Sequence, residues 1–427
     1  MTGKTAPAAS RHGYRGYALA MLLVVYVFNF IDRQIITILQ EPIKREFGLA
    51  DWQLGLMTGV AFALFYTVLG LPIARLADGG MPRTRIISVA LALWSLATAL
   101  CGAAQNFVQL LVARLAVGVG EAGCSPPALS MIADMYRREE RGFAMGIYAL
   151  GIPIGSMLGL MLGGWTASLF GWRAALAMIG LPGVLLAILF ALTVREPMRG
   201  TLATPVPRIA SGASLRLMLG KPTYRQLLAA GSIASLVSAG VAIWFPPFFM
   251  RTHGMSMAQV GVSWGLVSGL SGIVGGLGGG WLIDRLGRRD PRYALWLPVA
   301  AMLIAFPFFL AALSAKSAQA ALLFLIVPIA MNSAWLAAFM ALGQGLTPLA
   351  MRATIAAFGA LTTNLVGIGI GPLLLGGLSD FFAMRTGSAA EGLRFSLLFA
   401  GAGYLWAAAH FYLASRQLSA DLETEPA

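Results

Sequence analysis

Apolar residues in this chain arrive in long blocks, not at the intervals of an amphipathic helix or an alternating strand. Tyr17 to Leu39 is the first such block, apolar except around "FNFIDRQ" at 28–34. A helix needs about 20 apolar residues to cross a bilayer core. Twelve blocks of roughly that size occur, at 15–40, 52–75, 84–104, 107–133, 142–169, 172–194, 224–250, 257–283, 292–314, 318–346, 353–379 and 393–415. Each is predicted to be helical, because lipid offers backbone polar groups no partner outside their own segment. Residues 195–223 are rich in Pro, Gly, Ser and Thr and separate two sets of six. The pattern predicts an all-α membrane protein: a six-helix bundle over 1–194, a linker over 195–223, a second bundle over 224–415 and a tail over 416–427.

Composition agrees. Of 427 residues 58% are hydrophobic and only 11% charged, against about a quarter charged in soluble domains. The net charge of +13 would suggest nucleic acid in a soluble protein, but here the basic residues sit in the short breaks between blocks. With the N-terminus inside, cytoplasmic segments hold 21 Lys and Arg and external ones 7. That asymmetry predicts cytoplasmic termini and a cytoplasmic linker. Cys101 and Cys124 lie within apolar blocks, so no disulfide framework is implied. The first block is too long for a cleaved signal.

Four charges lie well inside the blocks: Asp32, Arg33, Arg114 and Glu121, all in the first half. A charge at mid-bilayer costs about 2.5–3.5 kcal/mol even on the lenient insertion scale. Two opposing helices could be locked by such pairs, yet an apolar contact would do so at less cost, and function is the better reading. Arg114 and Glu121 are seven residues apart, on one helix face about 10 Å from each other. Depth along the two helices allows Asp32 to meet Arg114. Arg33 is then left to a substrate head group or to Glu121. Glu121 is the expected proton carrier provided that it lacks a partner, and Asp32 the gate. The G-x-G-x-x-G at Gly118, Gly120 and Gly123 has no preceding strand and reads as helix packing, not a nucleotide loop. Gly155, Gly159 and Gly163 repeat that packing pattern. His12, His253 and His410 form no cluster. No HExxH, His/Cys grouping or Ser–His arrangement supports an embedded enzyme, a metal or a cofactor.

Two loops repeat across the halves: "GLPIARLADGGMPRTR" and "GGWLIDRLGRR". Both carry Asp at a helix end followed by Arg, and such duplication suggests a secondary transporter. With the twelve blocks, these loops resemble the major facilitator superfamily along the whole chain. "FNFIDRQ", "RLAVGVGEAGCSPPALSMIADMY" and "GWR" (171–173) resemble its Spinster-like branch, and the anion/cation symporter branch shares a similar Asp-Arg. In the first loop Asp78 is followed by Gly79 and Gly80 instead of a basic residue, which leaves Arg75, Arg83 and Arg85 open as its partner.

The resemblance implies a midplane cavity and cytoplasmic latches built on Asp78 and Asp284, with Arg85, Arg285 and Arg288 as partners. It also implies a monomer in a cell (inner) membrane, with protons and an amphipathic sphingolipid or lysophospholipid as partners. Charge in one half and "VAIWFPPFFM" and "NSAWLAAFM" in the other suit such a molecule. Its head would meet arginine and its tail an apolar wall, with Asn29, Trp244, Phe248, Asn332, Trp335 and Phe339 as cavity candidates. A drug/proton antiporter and an organic-anion symporter are the alternatives within the superfamily; a receptor on a transporter scaffold is the alternative outside transport.

Overall fold

The computed structural model describes residues 8–198, 211–287, 290, 292–332, 334–348 and 351–423. The apolar blocks are helices, and no strand occurs among the described residues. In chain order they are α1 (Ala8–Ile38), α2 (Gln40–Phe47), α3 (Asp51–Gly55), α4 (Ala61–Asp78), α5 (Arg83–Cys101), α6 (Phe107–Glu121), α7 (Ser125–Met135), α8 (Arg138–Ala149), α9 (Gly151–Thr193) and α10 (Ser211–Gly220). There follow α11 (Pro222–Ser235), α12 (Phe245–His253), α13 (Met257–Gly287), α14 (Tyr293–Ser314), α15 (Ala318–Asn332), α16 (Ala334–Gly345), α17 (Arg352–Asn364), α18 (Gly371–Thr386) and α19 (Ala389–Glu423).

Nine helical stretches among the described residues are long and apolar enough to cross a membrane, or ten if Pro222–Gly240 and Phe245–His253, bent by 46°, count as one. The blocks expected at 142–169 and 172–194 share the single stretch Glu139–Thr193. Gly171 interrupts it with φ 81°, a conformation that glycine adopts without a Cβ clash. The block expected at 52–75 runs helically from α3 through a π-turn at Leu56–Val60 into α4.

Two compact units emerge: Met1–Ile36 with Phe65–Leu202, and Thr37–Leu64 with Ala203–Ala427. In the first, α5 packs on α6 and α9. Glycine makes the approaches close, as small residues do where helices associate through backbone packing in lipid. A Cβ at Gly120 would lie 2.8 Å from that of Trp94, and one at Gly155 would lie 2.6 Å from that of Phe30. In the second, α18 packs on α3, while α19 packs on α11, α14 and α18. Of three π-turns, Leu56–Val60, Leu236–Gly240 and Leu365–Ile370, the last packs on both of the others. An aromatic core of Phe245, Phe248, Phe249, Trp264, Phe309 and Tyr404 fills this unit.

Candidate functional site

Of the buried charges in the first unit, Glu121 lies where a helix stops. α6 ends at Glu121, three turn residues follow, and α7 restarts at Ser125 with prolines in its first turn. Pro126 and Pro127 lack the N–H a continuing helix would use, so the sequence itself dictates the break. A discontinuous helix near ionisable side chains is the backbone arrangement that transporters use to line a site.

Glu121 is fully buried and accepts a hydrogen bond from Arg33 Nε at 2.5 Å. The Arg33 guanidinium also lies over two rings, 4.9 Å from the centroid of Phe30 and 4.6 Å from that of Tyr66. Flanking aromatic faces stabilise a cation and hold its plane. Tyr26 stands close by, stacked on Tyr148 at 4.2 Å. Of the two partners the sequence left open for Arg33, the structure has Glu121, one of whose oxygens it engages, so the partner-free condition on Glu121 is not met.

Asp32 differs. It is 0% exposed, and neither carboxylate oxygen accepts a hydrogen bond among the described residues. Arg114, also buried, acts electrostatically on both Asp32 and Glu121, but no hydrogen bond joins it to Asp32. Trp94 and Thr98 of α5 stand beside the Asp32 carboxyl and Asn29 beside Glu121. Trp94 Nε1, Thr98 Oγ1 and both Asn29 amide atoms have no hydrogen-bond partner among the described residues. Four charges thus share one buried region: the Arg33–Glu121 ion pair, Asp32 without a closed hydrogen bond, and Arg114, which acts on both carboxylates.

The latch residues are only partly visible. Arg288 and the side chains of Asp78 and Asp284 lie outside the described residues. Arg85 is exposed, and Arg285 is exposed with its guanidinium 5.3 Å from the Trp281 ring centroid. Arg83 is the buried arginine of the first loop. It donates to Glu196 (2.7 Å), Asp134 (2.5 Å), Ser130 (2.9 Å) and the Pro197 carbonyl (3.1 Å). Sequence reasoning missed Asp134 and Glu196, although "REP" at 195–197 is a charge pair held against a helix end.

Of the cavity candidates, Trp244 and Phe248 are fully buried; Trp244 Nε1 donates to the Pro372 carbonyl at 3.2 Å, and Phe248 belongs to the aromatic core. Trp335 and Phe339 are buried edge to face at 6.2 Å, with Phe339 against Gly231 and Gly359. Asn332 is half-buried.

A second ion cluster had no place in the sequence reading. Asp51 takes hydrogen bonds from Arg251 Nη1 and Nη2 (2.6 and 2.8 Å), Lys44 (2.5 Å) and Ser379 (2.6 Å). Arg251 Nε reaches Glu41 at 2.7 Å. Asp380 accepts from the Asp51 and Trp52 amides and so caps α3. Burial would raise the Asp51 carboxyl, but the hydrogen bonds and charge of Arg251, joined by Lys44, outweigh it and hold it at about 2. The one available signal was the lone Arg251 closing an aromatic run.

Residues 22–372 match the model of the Major Facilitator Superfamily. An MFS-type efflux pump of Mycolicibacterium smegmatis is 34% identical over 419 residues, covering 98% of this chain and 97% of the pump. Protein spinster homolog 1 of Bos taurus is 28% identical over 395 residues, 86% of this chain and 74% of that protein. Solved structures of a bacterial homolog of the human lysosomal transporter Spinster superpose with TM-scores of 0.88 (inward-facing, unoccupied) and 0.86 (inward-facing, occupied). Both are 32% identical and cover 97% of this chain and 99% of the homolog. With its helices, its broken α6 and its buried charges, the chain belongs to the major facilitator superfamily and is homologous to the Spinster proteins.

Proposed function

We propose that this chain is a proton-coupled secondary transporter that moves an amphipathic, lipid-like molecule of lysophospholipid or sphingolipid type by alternating access. It would do so as a monomer in a cell (inner) membrane, with twelve crossings and both termini cytoplasmic. One observation carries the reading: a buried Arg33–Glu121 ion pair beside Asp32, whose carboxylate accepts no hydrogen bond among the described residues. Asp32 can exchange a proton without first breaking an ion pair, whereas Glu121 must release Arg33. Asp32 is therefore the proposed carrier and Glu121 the holder of Arg33.

A change of charge on Asp32 alters what Arg114 and Glu121 experience, and with it the hold on Arg33. Released, Arg33 would meet the substrate head group, and Asn29 would bond whichever group replaced it. Trp335 and Phe339 are the proposed tail contacts, with Asn332 at their edge. Asp78 and Asp284, with Arg83, Arg285 and Arg288, are proposed as the cytoplasmic latches.

Counterflow into proteoliposomes tests the substrate class, with arms for a fluorescent lysophosphatidylcholine, ethidium and a small carboxylate. The lysolipid arm is expected to respond. Asp32→Asn should remove the pH dependence of that signal while substrate binding persists; an unchanged profile would sink the assignment. A drug/proton antiporter is the second reading, favoured by the similarity to an efflux pump and by the aromatic faces on Arg33, which also suit an organic cation. Exclusive response to ethidium would establish it.

A further inference from the structure

Asp32, Trp94 and Thr98 form a set that the ion-pair description leaves unused. All three are 0% exposed. An indole N–H and a hydroxyl approach a carboxylate within reach of a hydrogen bond, yet neither has the distance and angle of a closed one, with it or with anything else among the described residues. Leaving buried polar groups unpaired costs about 1–3 kcal/mol each, and three in one place call for an explanation. Trp94 and Thr98 are four apart on α5, so they present one helix face. Gly120 fixes how near α5 comes: its missing Cβ would lie 2.7 Å from the Trp94 amide nitrogen and 2.8 Å from its Cβ. The glycine one residue before Glu121 thus sets the position of the donor that faces Asp32.

We propose that Trp94 and Thr98 are positioning residues for proton coupling, whose N–H and O–H close on Asp32 when it gives up its proton. The inference rests on Asp32 as the proton carrier. Donors to a carboxylate favour its ionised form, and here two stand near it without a closed bond. Arg114 offsets part of the charge that a buried Asp32 bears on losing its proton, and hydrogen bonds from the two donors would offset more. The charged and titratable groups around Asp32 are Glu121 and Arg114 on α6, Cys101 on α5 and its neighbour Arg33. Residues 151–170 of α9, which pack on α1, contain no titratable side chain. Of these, Arg114 acts on Asp32 through its charge, and the two neutral donors would add hydrogen bonds to that.

Infrared pH titration of the purified protein in nanodiscs, without any substrate, tests this. The protonated-carboxyl band lost in Asp32→Asn belongs to Asp32. Trp94→Phe keeps the ring and removes the N–H; Thr98→Val keeps the shape and removes the O–H. Each should move the midpoint of that band upward by about one pH unit, from the worth of a hydrogen bond to a charged group. Thr98→Ser, which keeps the hydroxyl, should stay at the wild-type midpoint. A midpoint unmoved in folded Trp94→Phe and Thr98→Val overturns the inference and leaves Asp32 as carrier. A missing Asp32 band, or one that does not titrate, overturns the carrier assignment together with it. If Trp94→Phe fails to fold, the Thr98→Val and Thr98→Ser pair decides alone.

Discussion

At the scale of single residues, the Arg251 cluster shows what a buried, partnered charge contributes to stability. Arg251 is held by two carboxylates, Asp51 and Glu41, and removing it leaves both facing each other in a buried site. Arg251→Met should cost about 3–5 kcal/mol of stability, read as thermal unfolding in detergent. The pH behaviour of this cluster follows from the low value of Asp51. Its stabilising contribution is complete above the ordinary carboxylate value of 3.8 and is lost as the pH falls toward about 2. Between about pH 5 and pH 8 the melting difference between wild type and Asp51→Asn should therefore stay constant. A difference that changes across that window would mean that Asp51 titrates there. Arg83 and Arg85 make a matched pair in the first loop: one buried with four acceptors, the other exposed. Arg83→Ala should destabilise by several kcal/mol, about what breaking a buried pair costs, while Arg85→Ala should stay within about 0.5 kcal/mol.

At the scale of elements, the helices themselves were legible because lipid leaves a 20-residue apolar block no alternative. Their interruptions were legible only in part. Pro126 and Pro127 announce the break after Glu121, whereas the π-turns at Leu56–Val60, Leu236–Gly240 and Leu365–Ile370 follow from three helices meeting, which no local signal records. The four buried charges could be read from their position in apolar blocks, but not their pairing. Depth along two helices allowed Asp32 to meet Arg114 and left Arg33 to a head group or to Glu121; rotation about the helix axes, which sequence does not supply, decides for Glu121. Asp51 and Arg251 were passed over for a similar reason: each sits at a block edge, where a charge ordinarily faces water. Glycine contacts supply the prediction at this scale. A Cβ at Gly159 would meet the Ile31 backbone at 2.8 Å, whereas one at Gly146 would meet nothing within 4 Å. Gly159→Ala should push α9 from the helix that carries Asp32 and Arg33, lowering both melting temperature and transport. Gly146→Ala should instead stabilise the chain by about 0.5–1 kcal/mol through helix propensity alone.

For the whole molecule, the question that physical reasoning can press hardest is which ends face the cytoplasm. The split of 21 basic residues against 7 predicts that the turn between α14 and α15 is external and that the start of α8 is cytoplasmic. Lys316 and Glu139 mark these two places, and both side chains are exposed. The native cysteines, Cys101 and Cys124, are buried, so the wild-type chain should give almost no background with a membrane-impermeant maleimide. Lys316→Cys should be labelled on intact cells, and Glu139→Cys only after the membrane is opened. The bias depends on arginines spread over several loops, so no single substitution should invert the result. Replacing Arg137, Arg138 and Arg141 together removes one cluster of three and should leave the labelling pattern standing, since the linker and the other loops still outweigh the external side. Labelling of Glu139→Cys on intact cells would reverse the orientation of the entire bundle. It would also place Arg83, Asp134 and Glu196 on the external face, where a cytoplasmic latch could not operate.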